Sequence, residues 1–268
     1  MKKTGFQITF NDDGLTAVEY LQPTVIENND LFIDNRTGKI LGHLGTGLGD
    51  IRIIRSQDWD YANDTEEIPT EKEKIDSLIA DSIIVTIDDN QIQNKMQEIH
   101  SLTKEVEYQV YIVLSKEGKI KAVRGEDGID SESEIISFAY KDALDYPTVK
   151  VEGVRYILLA QVHTHNLKKN VHKSNTFGGS TIKNDFGPSK KDKETAGDLE
   201  IPIYNIDSWN KSSSKAQVTI GRVFPNKKQE TSVATTKGGK GKEHSKHLDI
   251  GKEALNYRIK RYDPKLIR

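Results

Sequence analysis

His163-Thr164-His165 follows the mostly apolar run Tyr156–Gln161. Side chains alternate along an extended backbone, so His163 and His165 share one side and Thr164 takes the other. Residues two apart on a strand are separated by about 7 Å, and two imidazoles at that spacing can turn toward one ion. Downstream, Gly187-Pro188-Ser189-Lys190-Lys191-Asp192 supplies a hydroxyl and a carboxylate three residues apart. Two histidines, one aspartate and a water compose a tetrahedral zinc site with an open position, the arrangement of a hydrolytic centre. A His-x-His pair alone is weak evidence, because most such pairs are surface or hydrogen-bonded histidines. The combination carries the reading: a buried strand, a polar loop, Ser-x-x-Asp, then the apolar stretch Leu199–Ile206.

Several elements must position these groups. Tyr156–Gln161 reads as a short buried strand. Before it, Ile83–Ile87 is a β-branched strand, and Asp88-Asp89-Asn90 offers N-caps for a helix over Gln91–Thr103. Ile92, Met96, Ile99 and His100 fall on one face of that helix, so His100 reads as a helix-face residue. The apolar run up to Leu114 is a strand, and Ser115–Gly118 turns it into Lys119–Val123. Ser131–Leu144 reads as a helix with Ile135, Ile136, Phe138, Ala139 and Ala143 inward, ended by Pro147. Gln217–Val223 is a further strand. The fold class expected is α/β, a mixed central sheet with flanking helices.

The order of these residues resembles the JAMM (MPN+) metalloprotease motif. That motif has a Glu upstream, His-Ser/Thr-His at a strand end, a loop, and Ser-x-x-Asp at a helix start. His163, Thr164, His165, Ser189 and Asp192 fit it in order. The resemblance implies that Asp192 is the third zinc ligand beside His163 and His165, and that Ser189 steadies the substrate carbonyl and its oxyanion. It places the catalytic Glu where the first helix gives way to the core strand. Glu107, directly before Tyr108, occupies that place, and Glu105 has the same parity and is the alternative. A carboxylate there would take a proton from the attacking water and deliver it to the leaving amine. Leu199–Tyr204 resembles the segment that follows the family's metal-binding helix. One departure is length: residues 166–188 exceed the family's usual short stretch and read as an inserted loop, rich in Gly, Ser and Asn.

The implied fold is the JAMM/MPN, cytidine-deaminase-like core over residues 81–226, acting as a zinc-dependent peptidase or isopeptidase. Residues 1–80 read as a β-rich segment with an acidic linker at 56–75, and residues 227–268 as a basic, polar tail. In the first segment Leu31–Asp34, Asn35–Gly38 and Lys39–Leu41 make strand, turn and strand. Gly45–Asp50 reads as a plain turn before Ile51–Ile54, not a phosphate cradle. The hairpin-rich leader and Lys/Gly-rich tail resemble the JAB-like toxin branch of bacterial polymorphic and Rhs effectors. That likeness implies a protein or peptide substrate, a cognate immunity protein, and delivery into a target cell without a Sec signal, or a cytoplasmic location if the chain is no effector. Two other readings follow from the same residues: a non-catalytic MPN-like interaction module, or a metal-dependent nuclease.

Composition narrows the choice. The 268 residues are 35% hydrophobic and 30% charged, with a formal net charge of −2. There is no global pull toward nucleic acid or anionic membrane. With no cysteine, disulfides and thiolate zinc sites are excluded, so any metal must use His and carboxylates. No apolar run approaches the roughly 18 residues of a membrane span. His244 and His247, in the Lys/Gly-rich tail, lack the buried strand context of His163.

Overall fold

The computed structural model describes residues 5–11, 14–21, 29–44, 49–64, 70–102, 106–128, 139–141, 147–165, 171–172, 181–182, 188–210, 217–225 and 249–262. The N-terminal part comprises β1 (Gly5–Asn11), β2 (Gly14–Leu21), β3 (Leu31–Asp34), β4 (Ile40–His43), β5 (Ile51–Ile54), α1 (Ser56–Asp64), α2 (Glu71–Ala80) and β6 (Ile83–Ile84). Then come β7 (Thr86–Ile87), α3 (Asp89–Leu102), β8 (Gln109–Leu114), β9 (Lys119–Arg124), β10 (Ala139–Lys141), β11 (Pro147–Val151) and β12 (Val154–Thr164). The rest is β13 (Val171–His172), β14 (Thr181–Ile182), α4 (Lys190–Leu199), β15 (Ile203–Asn210), β16 (Gln217–Val223) and α5 (Ile250–Tyr262). The fold is mixed α/β.

Among the described residues, eight strands form the central sheet in the order β10-β11-β12-β8-β9-β7, with β15 on β12 and β16 on β15. Strand β12 pairs antiparallel with β8 and β11 and parallel with β15. Its neighbours on one edge change along its length, because Val154–Ile157 pair with β11 and Gln161–Thr164 with β15. One face of the sheet buries Ile112, Leu114, Ile120, Val162 and Tyr204 against Ile92, Met96 and Ile99 of α3 and Ile250, Ala254, Leu255 and Ile259 of α5. The other face packs Tyr111, Val113, Val149, Leu158 and Ile203 against Ala196 and Leu199 of α4.

Helix starts follow local chemistry. Asp88 caps α3, its Oδ1 accepting from Gln91 N at 3.2 Å, as the Asp-Asp-Asn run predicts. Gln91 then bonds both backbone groups of Ala122, each at 2.7 Å, and ties α3 to β9.

Four expectations are corrected here. First, the acidic stretch 56–75 is not simply a linker: most of it lies in α1 and the start of α2. Ala62, Ile75 and Leu78, with Trp59 and Ile79 partly buried, cover Phe32 and Ile54 of the small sheet β4-β3-β5-β6. The charged residues sit on the outer side of these helices. Second, Ile83–Ile87 divides between two sheets, β6 pairing with β5 and β7 with β9. Third, residues 139–141, expected within a helix, form β10 on β11; residues 131–138 and 142–146 lie outside the described residues. Fourth, the C-terminal tail contains α5, whose apolar face completes the main core. The hairpin expected at 31–41 is present, with Gly38 at φ +71° closing its turn.

One buried group on the α4 face has an expected consequence. The Tyr111 hydroxyl is buried with no hydrogen-bond partner among the described residues. Burial, and secondarily the charge of Glu126, pushes its pKa up to about 12 from 10.0. Tyr111→Phe removes an unsatisfied hydroxyl and is expected to raise stability by about 1 kcal/mol in urea unfolding. Ionising the hydroxyl is harder in the fold than in the unfolded chain, so this group leaves stability independent of pH below the unfolded value near 10.0 and lowers it as pH rises from there to about 12. Relative to wild type, Tyr111→Phe is expected to lose less stability across that alkaline window.

Candidate metal centre

The C-terminal half of β12 is buried from Ile157 through Thr164. Strict alternation would carry the parity of Ile157 and Leu159, which face α3 and α5, through to His163. A β-bulge between Leu158 and Ala160 prevents this. Leu159 is the extra residue: Ile157, Leu159, Ala160 and Val162 all join the α3/α5 core, while Leu158 packs on the α4 side. Beyond the bulge, Gln161, His163 and His165 are therefore turned to the α4 face. Bulges commonly re-aim side chains beside functional sites in this way.

Helix α4 brings the third group. Ser189 is its N-cap, and the capping box is complete: the Ser189 hydroxyl accepts from Asp192 N at 3.2 Å, and Ser189 N donates to Asp192 Oδ2 at 2.6 Å. The cap holds the Asp192 carboxylate against the strand end. Asp192 Oδ1 lies 3.4 Å from His163 Nε2, and Oδ2 lies 3.8 Å from His165 Nε2. One ligand atom from each of His163, His165 and Asp192 lies within 4.8 Å of the other two. Ligands about 2.0–2.1 Å from a tetrahedral zinc are roughly 3.3–3.5 Å apart, so only a small inward rotation separates this triad from an ion's first shell. The three residues are close together and largely buried and can bind a metal.

The electrostatics agree with that geometry. Burial pushes the Asp192 carboxyl upward, but neighbouring His163, the His165 hydrogen bond and the bonds from Ser189 outweigh it. The carboxyl is held well below the usual carboxylate range and stays ionised, the state a metal ligand needs. Comparison with protein-family models, curated proteins and solved structures gives no match. The reading of the site therefore rests on its own residues.

Glu107 enters the same face by register. His163 pairs with Gln109, and the ladder continues one step: Thr164 N donates to the Tyr108 carbonyl at 2.9 Å, and Tyr108 N donates to the Thr164 hydroxyl at 3.0 Å. One further step sets Glu107 abreast of His165, and alternation gives it the same side of the sheet. Its carboxylate-bearing residue is buried, and its carbonyl accepts from Gly128 N at 2.8 Å. Glu105, His244 and His247 lie outside the described residues, as does most of the 166–188 insertion apart from the short β13–β14 pair. His100 is on α3 and does not join the triad.

Sequence reasoning placed Thr164 in the motif without a role, and it missed Asn205; both shape the centre. Thr164 aligns the start of β8 with the end of β12 through its hydroxyl. Asn205 of β15 is in register with His163 and fully buried, and its Nδ2 lies 3.5 Å from His165 Nδ1. Asn205 interrupts the apolar run Ile203-Tyr204-Asn205-Ile206 at the start of β15, which is the signal that marks it.

Ser189→Ala is expected to cost about 1 kcal/mol of stability through loss of the cap, while zinc content is retained. Chemical unfolding and elemental analysis of the same sample check both halves.

Proposed function

We propose that the chain is a zinc-dependent hydrolase of peptide or isopeptide bonds, of the JAMM/MPN+ kind. The observation that carries this reading is the convergence of His163, His165 and Asp192, with Ser189 at the start of α4 and Glu107 abreast of His165. With no cysteine in the chain, an N/O donor set of two imidazoles and one carboxylate suits a catalytic zinc, leaving room for water and substrate. When bound, zinc supplies a Lewis acid and brings the pKa of water down toward about 7.

The chain's own groups do the rest. His163, His165 and Asp192 hold the ion. Glu107 takes a proton from the attacking water and returns it to the departing amine, the double duty a single nearby carboxylate can perform. The Ser189 oxygen already accepts from Asp192 N, so its proton remains available to donate to the substrate carbonyl oxygen. Part of the proposal is an effector role with a cognate immunity protein, supported by the hairpins that precede the domain. No described helix is long and apolar enough to cross a membrane.

The test is zinc-loaded wild type beside His163→Ala on a quenched peptide library and on isopeptide-linked dimers. Cleavage by the wild type alone is the expected result. Zinc retained with no cleavage of either substrate class would favour a non-catalytic interaction module. Metal-dependent nicking of plasmid DNA, abolished in His163→Ala, would displace the peptidase reading in favour of a nuclease.

A further inference from the structure

His165 presents Nε2 toward Asp192 and Nδ1 toward Asn205 Nδ2, so in this orientation Nδ1 is the acceptor and Nε2 carries the proton. A neutral imidazole carries one proton and one lone pair on its two nitrogens. If Nε2 gives its lone pair to a cation, Nδ1 bears the proton and needs an acceptor. Asn205 has one to offer. The two ends of its amide are isosteric, and a half-turn about χ2 exchanges them without moving the chain. The side chain is wholly buried, and β15 is locked to β12 by the pairs Gln161↔Ile203 to Thr164↔Ile206. His165 N also donates to the Ile206 carbonyl at 3.2 Å, so His165 and Asn205 cannot easily slide apart.

We propose that Asn205 is a positioning residue for the metal centre: its Oδ1 accepts from His165 Nδ1–H and fixes His165 as an Nε2 ligand. This rests on the metal reading above and deepens it. The tautomer is set by the partner of the second nitrogen, a role that outer partners of ligating histidines commonly fill. His163 and Asp192 have their own constraints in the ladder and the capping box, so the effect concentrates on one ligand.

The test is zinc affinity, measured by competition with a chromophoric chelator, for wild type, Asn205→Leu and Asn205→Asp. Leu fills the space with no acceptor and is expected to weaken zinc binding about 10–100-fold. Asp can only accept, and is expected to bind zinc at least as tightly as wild type. A purely structural Asn would give the reverse order, because a buried charge harms folding more than an apolar isostere. Unchanged affinity in Asn205→Leu would overturn the proposal and leave the metal centre standing, whereas a wild type that binds no zinc would remove the metal reading itself. Should the Leu variant fail to fold, ¹⁵N spectra of the zinc-loaded wild type decide. A protonated Nδ1 on His165 is expected, and an Nδ1 bound to zinc would overturn the assignment.

Discussion

Glu107→Gln is expected to keep zinc at the wild-type level and to lower peptide-bond hydrolysis by about 10²–10⁴-fold. Gln has nearly the shape of Glu, so the buried place at the head of β8 stays filled. The backbone bond from Gly128 N to its carbonyl and the ladder from Tyr108 to Thr164 do not involve the side chain. None of the three candidate ligands is touched. What disappears is the carboxylate able to take and return a proton on the face that carries His163 and His165. A loss of metal together with activity would mean Glu107 shapes the site and does not act as a base. Unchanged hydrolysis would move the base elsewhere, Glu105 being the first alternative.

Arg258→Ala is expected to destabilise the protein by about 3 kcal/mol, a fall of roughly 6–12 °C in melting temperature for a chain of this size. Arg258 is a cation on α5 and only 4% exposed. Its Nη1 donates to the Leu158 carbonyl at 3.2 Å and its Nη2 to the Gly38 carbonyl at 3.1 Å. The first bond falls at the bulge, where the β12 ladder is interrupted, and the second reaches the β3–β4 turn. One guanidinium thus joins the C-terminal helix, the strand that carries the histidines and the N-terminal sheet. Packing there is close: a Cβ on Gly38 would lie 2.5 Å from Arg258 Nη2 and 2.7 Å from Ile157 Cγ2. Alanine would leave two buried carbonyls without these donors and a void between three elements. Because the bulge turns the histidines to the α4 face, weaker zinc binding is expected alongside the lower melting temperature. A melting temperature within about 1 °C of wild type would show that the clamp contributes little.

Much of the candidate site can be read from residue order. His-x-His at the end of an apolar run, and Ser-x-x-Asp after a Pro, describe a strand end and a helix start whatever the fold around them. Both features are where the pattern puts them, and Ser189 caps α4 as its type and spacing require. The bulge at Leu159 leaves no trace in a string of apolar residues, because a buried strand tolerates Leu on either face. Neither does the parallel pairing of β15 with β12, which brings Asn205 beside His165. Pairing between distant segments is set by the whole sheet.

Outside the site, composition misled where a narrow apolar stripe sits among many charges. Ala62 in α1, and Ile75 and Leu78 in α2, suffice to seat two helices on a small sheet, yet the surrounding Asp and Glu residues read as a solvated linker. Ile250, Ala254, Leu255 and Ile259 have helical spacing, but the Lys- and Gly-rich stretch before them set the reading of the whole tail. Ile83–Ile87 looks like one strand because β-branched residues suit any sheet, and nothing local marks the change of sheet near Val85.

The measurement closest to the central claim is elemental analysis of purified wild type beside His165→Ala, each after zinc addition and removal of the excess. About one zinc per chain in the wild type, lost in the variant, is the expected result. A wild type that holds no zinc, or a variant that holds as much, would contradict a metal centre built on His163, His165 and Asp192.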